Sequence, residues 1–540
     1  MSLQQYFPSS FIPRNQQLDL IDKIESAFKS KKFVICCAPT GTGKSFLSAT
    51  LSNSSKQCSS TFKNLIESYD AFKSDGCGDY LYKDECMNEP SFGAFTLTIT
   101  KNLQDQYTDI FSNSVCVKGK SNYICAVDPN YSVDVAPCIY LSELKDKCLN
   151  GNTCPYYSTR NNALINQFSI LNYSMFLSLP NHVKHREYIV CDEASELEDE
   201  LVKRFSRELH FKVLKKLGID PIKIPIHNYS KFRIWLESFL QTLCDTLNSL
   251  QTRLKRKKNE TILSDRQKYM LLKNLHISFE TTVNTWNDCE YIVERDNEKI
   301  TLKPLRVDNL AKHIFNFGDK ILLMSATIID HKKFAHTLGI QDYEYIEVDS
   351  MFDPKKAPIF TSNKYKLNHK NLKEKLPHIV KQIKEICAHH HDVKGVIHSH
   401  THEITDYLKA HLITDRFIFR EQGNLTNEQL IKQHVDSNDN TVIVSPSMTF
   451  GVDLRDDLAR FQIIIKAAYL PLGDERVKRL SREDPRWYQN KMLNNFIQAC
   501  GRGVRSENDY CVTYVLDACI TDAVVKSRNL LPKYFIDRCF

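Results

Sequence analysis

Two stretches of the chain carry residues whose type and spacing could do chemistry on a phosphate. In "FVICCAPTGTGKSFLSATL" an apolar, β-rich run from Phe33 to Cys37 leads into Pro39-Thr40-Gly41-Thr42-Gly43-Lys44-Ser45, and a helical pattern follows from Phe46. Strand, glycine loop, helix is the context in which such a loop cradles phosphate. The glycines let backbone N–H groups turn inward, the helix N-terminus adds its positive end, Lys44 reaches the β- and γ-phosphates, and Ser45 holds Mg²⁺. Ala38 stands where the pattern usually begins with glycine, and only a small residue is required there. The alternative is a glycine-rich turn without a ligand, against which the Lys-Ser pair in register after a strand argues. In "REYIVCDEASELEDE" a second buried-strand run, Tyr188 to Cys191, ends in Asp192-Glu193. An aspartate at a strand end can share the Mg²⁺ with Ser45, and the adjacent glutamate can orient and deprotonate the attacking water. Glu196, Glu198, Asp199 and Glu200 read as an acidic helix start favoured by the dipole. The chemistry these residues predict is ATP hydrolysis.

A third group is Cys125, Cys138, Cys148 and Cys154, with "CLNGNTCPYYSTR" at its end. On spacing alone it is a disulfide knot, a metal site or four unrelated thiols. The chain start lacks an apolar core after a basic region, so no signal peptide is expected. No window holds the roughly 18 apolar residues of a membrane helix. A reducing compartment, cytoplasmic or nuclear, is therefore expected, where 18 cysteines are free thiols or metal ligands rather than disulfides. The formal charge of +7 over 540 residues permits an anionic partner without demanding one. That length, at roughly 100–200 residues per domain, implies three or four domains.

Read in order, the motifs resemble those of the XPD/DinG family of superfamily 2 iron–sulfur DNA helicases across nearly the whole chain. "PRNQQLDL" resembles the family's entry motif, which places Arg14 and Gln17 at the nucleotide base. "APTGTGKS" is motif I; "TLTITKNLQDQY" resembles motif Ia, where Thr100 and Lys101 would meet the DNA backbone. "DEAS" is motif II, and "ILLMSATI" contains Ser325-Ala326-Thr327, motif III. "GVIHSHTHEI" resembles motif IV around Ser399, and "PSMTFGVDL" motif V with Asp453. "QACGRGVRSENDYCVTYVLD" resembles motif VI, implying Gln498 and two arginine fingers, Arg502 and Arg505. Three positions depart from the family pattern: Ser195 in place of histidine, Phe450 in place of glutamate, and Gly503 in place of a larger apolar residue, which is expected to loosen its turn.

Between motifs Ia and II the family carries an iron–sulfur domain. "KGKSNYIC" and "CPYY" resemble the segments presenting its first and last cluster cysteines, which maps them onto Cys125 and Cys154, with Cys138 and Cys148 as the middle pair. A [4Fe–4S] cluster needs four thiolates without paired spacing; structural zinc, which favours tighter pairs, is the runner-up. Cys116 reads as a packed small residue.

The resemblance implies an α/β fold: two RecA-like parallel-sheet lobes with an iron–sulfur insertion and a helical Arch insertion in the first. The expected division is lobe 1 at 1–108 (with an extra insertion at about 52–90), the iron–sulfur domain at 109–162, lobe 1 again at 163–208, the Arch at 209–298, lobe 1 at 299–350, and lobe 2 at 351–540. In the Arch, Phe232, Trp235, Leu236, Phe239, Leu240, Leu243, Leu247 and Leu250 share one helical stripe. Leu271, Leu272, Leu275 and Phe279 form a second, and "YIVERDNEKITLKPL" predicts a hairpin. The basic run at 253–258 is a DNA contact or a solvated helix end. His398, His400 and His402 alternate as if along one strand face; metal binding there is the lesser reading. The expected activity is 5′→3′ unwinding of single-stranded and forked DNA by a monomer, and an ATP-dependent nucleic-acid clamp without strand separation is the alternative. The motifs begin near the first residue, which leaves no N-terminal nuclease expected. Lys-, Asn- and Ile-rich composition with few glycines suggests an AT-rich genome, for example a virus.

Overall fold

A computed structural model of the chain describes residues 2–67, 91–136, 138, 148, 153–256, 262–420, 427–446, 456–501, 503–504 and 509–540. By packing, these divide into two compact units. One comprises Met1–Val34, Ser45–Leu323 and Ala335–Glu344, the other Ile35–Lys44, Met324–Phe334 and Tyr345–Phe540.

After helix α1 (Asn15–Phe28), strand β1 (Phe33–Cys37) runs into helix α2 (Lys44–Ser54). Strand β2 (Ala94–Thr98) is followed by α3 (Lys101–Ile110), strand β3 (Val115–Val117) and α4 (Pro155–Ile165). Strands β4 (Phe168–Asn172) and β5 (Arg186–Asp192) come next. The chain then leaves this sheet for β6 (Arg207–His210), the helices α5 (Tyr229–Arg256) and α6 (Ile262–Asn284), and β7 (Tyr291–Arg295) and β8 (Lys299–Pro304). It returns as β9 (Gly318–Ser325) and β10 (Tyr343–Glu347). The sheet order is β10-β1-β9-β5-β2-β4-β3, with β2–β4, β2–β5 and β3–β4 parallel. Parallel strands covered on both faces need continuous apolar runs, which is why "FVICC" and "EYIVC" lack alternation.

The excursion between β5 and β9 has its own core. Phe232, Leu236, Phe239, Leu243 and Leu250 of α5 pack with Leu272 and Phe279 of α6, and Trp235, Leu240, Leu247 and Leu275 lie against them. Leu271 departs from the expected stripe: it is exposed, because its neighbour Leu272 takes the inward position and adjacent helical residues point about 100° apart. The predicted hairpin is β7–β8, antiparallel from Tyr291↔Pro304 to Arg295↔Ile300. The sequence reading missed that β6 adds a third strand against β8.

Two cations are buried where the chain enters β5. Arg186 is fully buried between the rings of Phe92 and Phe95, its guanidinium carbon 4.4 and 3.9 Å from their centres. The buried Lys184 ammonium sits 5.5 and 5.0 Å from the Phe176 and Phe317 ring centres and donates to Asn181 Oδ1 at 3.2 Å. Burial, with Arg204 nearby, pushes the Lys184 amine down to about 7.

The second sheet is wholly parallel, in the order β11-β16-β15-β12-β14-β13. Its strands are β11 (Ile359–Tyr365), β12 (Gly395–His398), β13 (Phe417–Phe419), β14 (Val442–Ser445), β15 (Phe461–Ile464) and β16 (Val512–Asp517). Helices α7 (Leu372–His389), α8 (His402–His411), α9 (Glu475–Glu483), α10 (Pro485–Cys500) and α11 (Ala518–Lys526) accompany it. Residues alternate between faces: Ile397, Val442, Val444 and Ile463 join the α7 and α8 side chains, whereas Ile464 and Val515 join those of α10 and α11. The two lobes are thus RecA-like parallel α/β sheets.

His398, His400 and His402 do not share a strand face. The strand ends at His398, paired with Ser445 and Ile464; His400 has φ +67° and His402 opens α8.

Candidate active site

The predicted phosphate loop is the turn between β1 and α2. Gly41 and Gly43 have φ of +85° and +81°, a region in which a side chain is strained, so both glycines are required by the backbone. Ala38 is fully buried and its N–H donates to Ser325 O at 2.9 Å, which ties the loop to the SAT turn. Thr42 Oγ1 donates to Pro39 O at 2.8 Å, and Lys44 Nζ donates to Ala38 O at 3.1 Å. Thr40 is half-buried, as is Ser45 at the first turn of α2. An unforeseen residue packs here. A Cβ on Gly41 would stand 2.5 Å from Phe352 Cζ, and Phe352 itself packs with Ala357, Val504 and Cys511.

The SAT turn is braced from the far end of the chain. Ser325 is fully buried and accepts at Oγ from Thr327 N at 3.3 Å, while Tyr534 Oη donates to Ala326 O at 2.5 Å.

Asp192, the last residue of β5, is 5% exposed and doubly anchored. Its Oδ1 accepts from Glu193 N at 3.0 Å and its Oδ2 from Tyr107 Oη at 2.9 Å. Tyr173 Oη donates to the Asp192 carbonyl at 3.1 Å. Burial, and then the Asp192 carboxylate, push the Tyr107 phenol well above its usual range, so it stays a donor. Glu193 sits at φ 51°, ψ 47°, a left-handed conformation that costs an ordinary side chain about 1–2 kcal/mol. Such strain, held in a turn directly after a strand, marks functional positions. Leu197–Phe205 is the acidic-start helix, with Glu198, Asp199 and Glu200 in its first turn.

Arg14 is exposed at the N-cap of α1, and Gln17 is buried with Oε1 accepting from Arg14 N at 2.9 Å. Thr100 caps α3, accepting from Leu103 N at 3.3 Å; it and Lys101 are exposed, and Lys101 Nζ donates to Asn122 Oδ1 at 2.7 Å. Ser399 is the residue expected from its motif to contact nucleic acid. It is fully buried, its hydroxyl 2.6 Å from Thr405 Oγ1 and its N–H donating to Ser445 O, so it holds the turn before α8. Gln498 lies half-buried on α10. Asp453, Arg502 and Arg505, like Phe450, lie outside the described residues. At Gly503 a Cβ would stand 2.4 Å from Cys511 Sγ and 2.5 Å from Cys511 Cβ.

All sixteen described cysteines are free thiols; Cys77 and Cys86 lie outside the described residues. Cys125, Cys148 and Cys154 are buried and Cys138 is half-buried. The segments bearing the first and last of these pack together, with Tyr123 and Tyr156 ring centres 5.6 Å apart and Lys120 Nζ 5.5 Å from the Tyr156 ring. Burial, and then Cys148, Cys125 and Cys154 as neighbours, push the Cys138 thiol up to about 11. Burial, Cys154 and Cys125 likewise raise Cys148. Cys138 and Cys148 thus each feel other thiols of the set electrostatically. Among the described residues no group of three or more His, Cys, Asp or Glu converges at ion-binding distance. Cys116 packs beside the Tyr107 and Phe111 cluster as a small core residue.

Among the described residues no helix is long and apolar enough to cross a membrane. Compared by sequence, no curated protein matches the chain. Residues 396–535 match the family model of the helicase C-terminal domain. By structure the chain is similar to an XPD helicase at 16% identity and a TM-score of 0.58, covering 96% of this chain and 98% of that one. Apo XPD gives 15%, 0.54, 94% and 98%; Xpd4 of S. tokodaii gives 13%, 0.53, 95% and 97%. At these identities the likeness is one of fold, and it extends over both lobes and the segments between their strands. The chain has the fold of the XPD helicases, and its residues 396–535 match the helicase C-terminal family model.

Proposed function

We propose that the protein is an ATP-dependent DNA helicase that moves 5′→3′ on single-stranded DNA and separates forked duplexes as a monomer, in the cytoplasm or nucleus. The observation that carries this reading is the phosphate loop. Left-handed glycines follow a buried strand, and a helix with Lys44 and Ser45 at its start follows them, in a chain with the XPD fold. Lys44, Ser45 and Asp192 would hold the nucleotide and Mg²⁺, with the metal offsetting charge on the phosphates. Glu193 takes a proton from the attacking water, whose oxygen bonds to the γ-phosphorus as the bond to the ADP oxygen breaks. Arg502 and Arg505 would stabilise the charge of that transition state together with Gln498, Asp453 would support the nucleotide site, and Arg14 and Gln17 would meet the base.

The exposed Thr100 and Lys101 at the start of α3 suit contact with backbone phosphates, since a helix N-terminus favours anions. Backbone contact without base reading gives the sequence tolerance a translocating enzyme needs. Residues 109–162 are the iron–sulfur domain and residues 209–298 the Arch. Cys125, Cys138, Cys148 and Cys154 would hold a [4Fe–4S] cluster, with zinc the runner-up, and bound metal supplies a cross-link in place of a hydrophobic core. That domain would serve as the wedge.

The test is strand displacement on forked DNA, run beside ATP hydrolysis and metal content of protein purified without oxygen. Unwinding that needs a 5′ tail, loss of hydrolysis in Lys44→Ala, and about four iron and four sulfide per chain are the expected results. Hydrolysis without strand separation would make the protein a clamp instead. Zinc, or no metal, would remove the iron–sulfur assignment and leave the motor.

A further inference from the structure

The carboxylate proposed to hold Mg²⁺ is itself held by a residue that the chemistry does not name. Tyr107 is 2% exposed, and its ring packs against Phe168 edge-on at 6.3 Å and beside Phe111 at 6.3 Å. Its hydroxyl reaches Asp192 Oδ2 at 2.9 Å and Ser48 Oγ at 3.3 Å. A phenol has one proton. With that proton committed to the carboxylate, Ser48 is the donor of the second bond. The chain Ser48–Tyr107–Asp192 thus joins the helix that follows the phosphate loop to the end of β5.

The position of Tyr107 matters as much as its bond. It lies on α3, two turns beyond Thr100, whose hydroxyl caps that helix beside the exposed Lys101. A helix is stiff over two turns, so a displacement of its first turn moves the phenol as well. The carboxylate cannot follow freely, because Glu193 N holds its other oxygen and Tyr173 holds its carbonyl.

We propose that Tyr107 is a positioning residue that orients Asp192 for Mg²⁺ and carries nucleic-acid binding at the start of α3 to the hydrolytic site. This rests on the reading of Asp192 and α3 given above. Removing a group that orients a metal ligand weakens metal binding by about 10–100-fold. It also removes the link through which DNA reaches that ligand.

The test is Tyr107→Phe, which keeps the ring and its packing and deletes only the oxygen. ATP hydrolysis is measured against free Mg²⁺, with and without single-stranded DNA, and the melting temperature is taken without nucleotide as a control. The expected result is a half-maximal Mg²⁺ concentration raised about 10-fold and a stimulation by DNA that is largely lost. Ser48→Ala, which frees the phenol to rotate, should move both quantities the same way by smaller factors, and serves if Tyr107→Phe does not fold. A lower rate with unchanged Mg²⁺ dependence would make Tyr107 a structural residue and overturn the proposal. So would undiminished stimulation by DNA. If the wild-type protein hydrolyses no ATP, the functional reading fails first, which separates that failure from this one.

Discussion

Gly41→Ala separates two reasons for a glycine. At φ +85° a side chain costs about 1–2 kcal/mol in backbone strain. The added Cβ would also stand 2.5 Å from Phe352 Cζ and 3.0 Å from Cε2. The ring must then move, and it is packed against Ala357, Val504 and Cys511, so overpacking adds about 1–3 kcal/mol. The sum is about 2–5 kcal/mol, which lowers the melting temperature of a unit of roughly 150–250 residues by about 4–20 °C. Phe352→Ala vacates the space and leaves φ unchanged. In that background Gly41→Ala should cost only the backbone share, about 1.5 kcal/mol or roughly 3–6 °C. Scanning calorimetry of the wild type, both single variants and the double variant gives the coupling directly. An equal cost in both backgrounds would refute the contact between ring and loop. No cost in either would refute the left-handed backbone at Gly41.

Glu193→Gln keeps the size and backbone of a strained residue and removes only its basicity. ATP turnover should fall by about 10²–10⁴-fold with nucleotide affinity nearly unchanged, and a fall under tenfold would remove Glu193 as the base. Lys184 predicts a pH dependence. Its folded-state pKa of about 7 lies below the ordinary 10.5, so between those values the unfolded chain binds the extra proton and stability rises with pH. Lys184→Met should flatten that rise and stabilise the protein most at and below about pH 7; parallel melting curves for the two proteins across the window would show that the amine is not held neutral.

The phosphate loop was legible from sequence because its chemistry needs particular residues in consecutive order, and the buried strands because parallel pairing makes them continuously apolar. Tyr107 stood in a quoted motif without a role. Its partner Asp192 is 85 residues away, and only the sheet order brings the two together. Phe352 and Tyr534 were missed for the same reason, since each is defined by a contact with a distant turn. The histidines were misread because alternation presumes that a strand continues, and β12 stops at His398. Ser399 was read from its motif, whereas its hydrogen bond to Thr405 became visible only in the structure. Leu271 beside Leu272 is ambiguous in any helical stripe, and packing chose one of them.

The contact between Gly503 and Cys511 constrains how this chain can change. A Cβ at 503 would collide with the Cβ of Cys511 as well as with its sulfur, so alanine at 511 would not make room. Only glycine at 511 would. A larger residue at 503 is then accessible only after a substitution that by itself leaves a void beside Val504 and Ala357. The two sites form an epistatic pair in which the order of mutations matters. Among related sequences they should trade size, with small residues at one wherever the other is large.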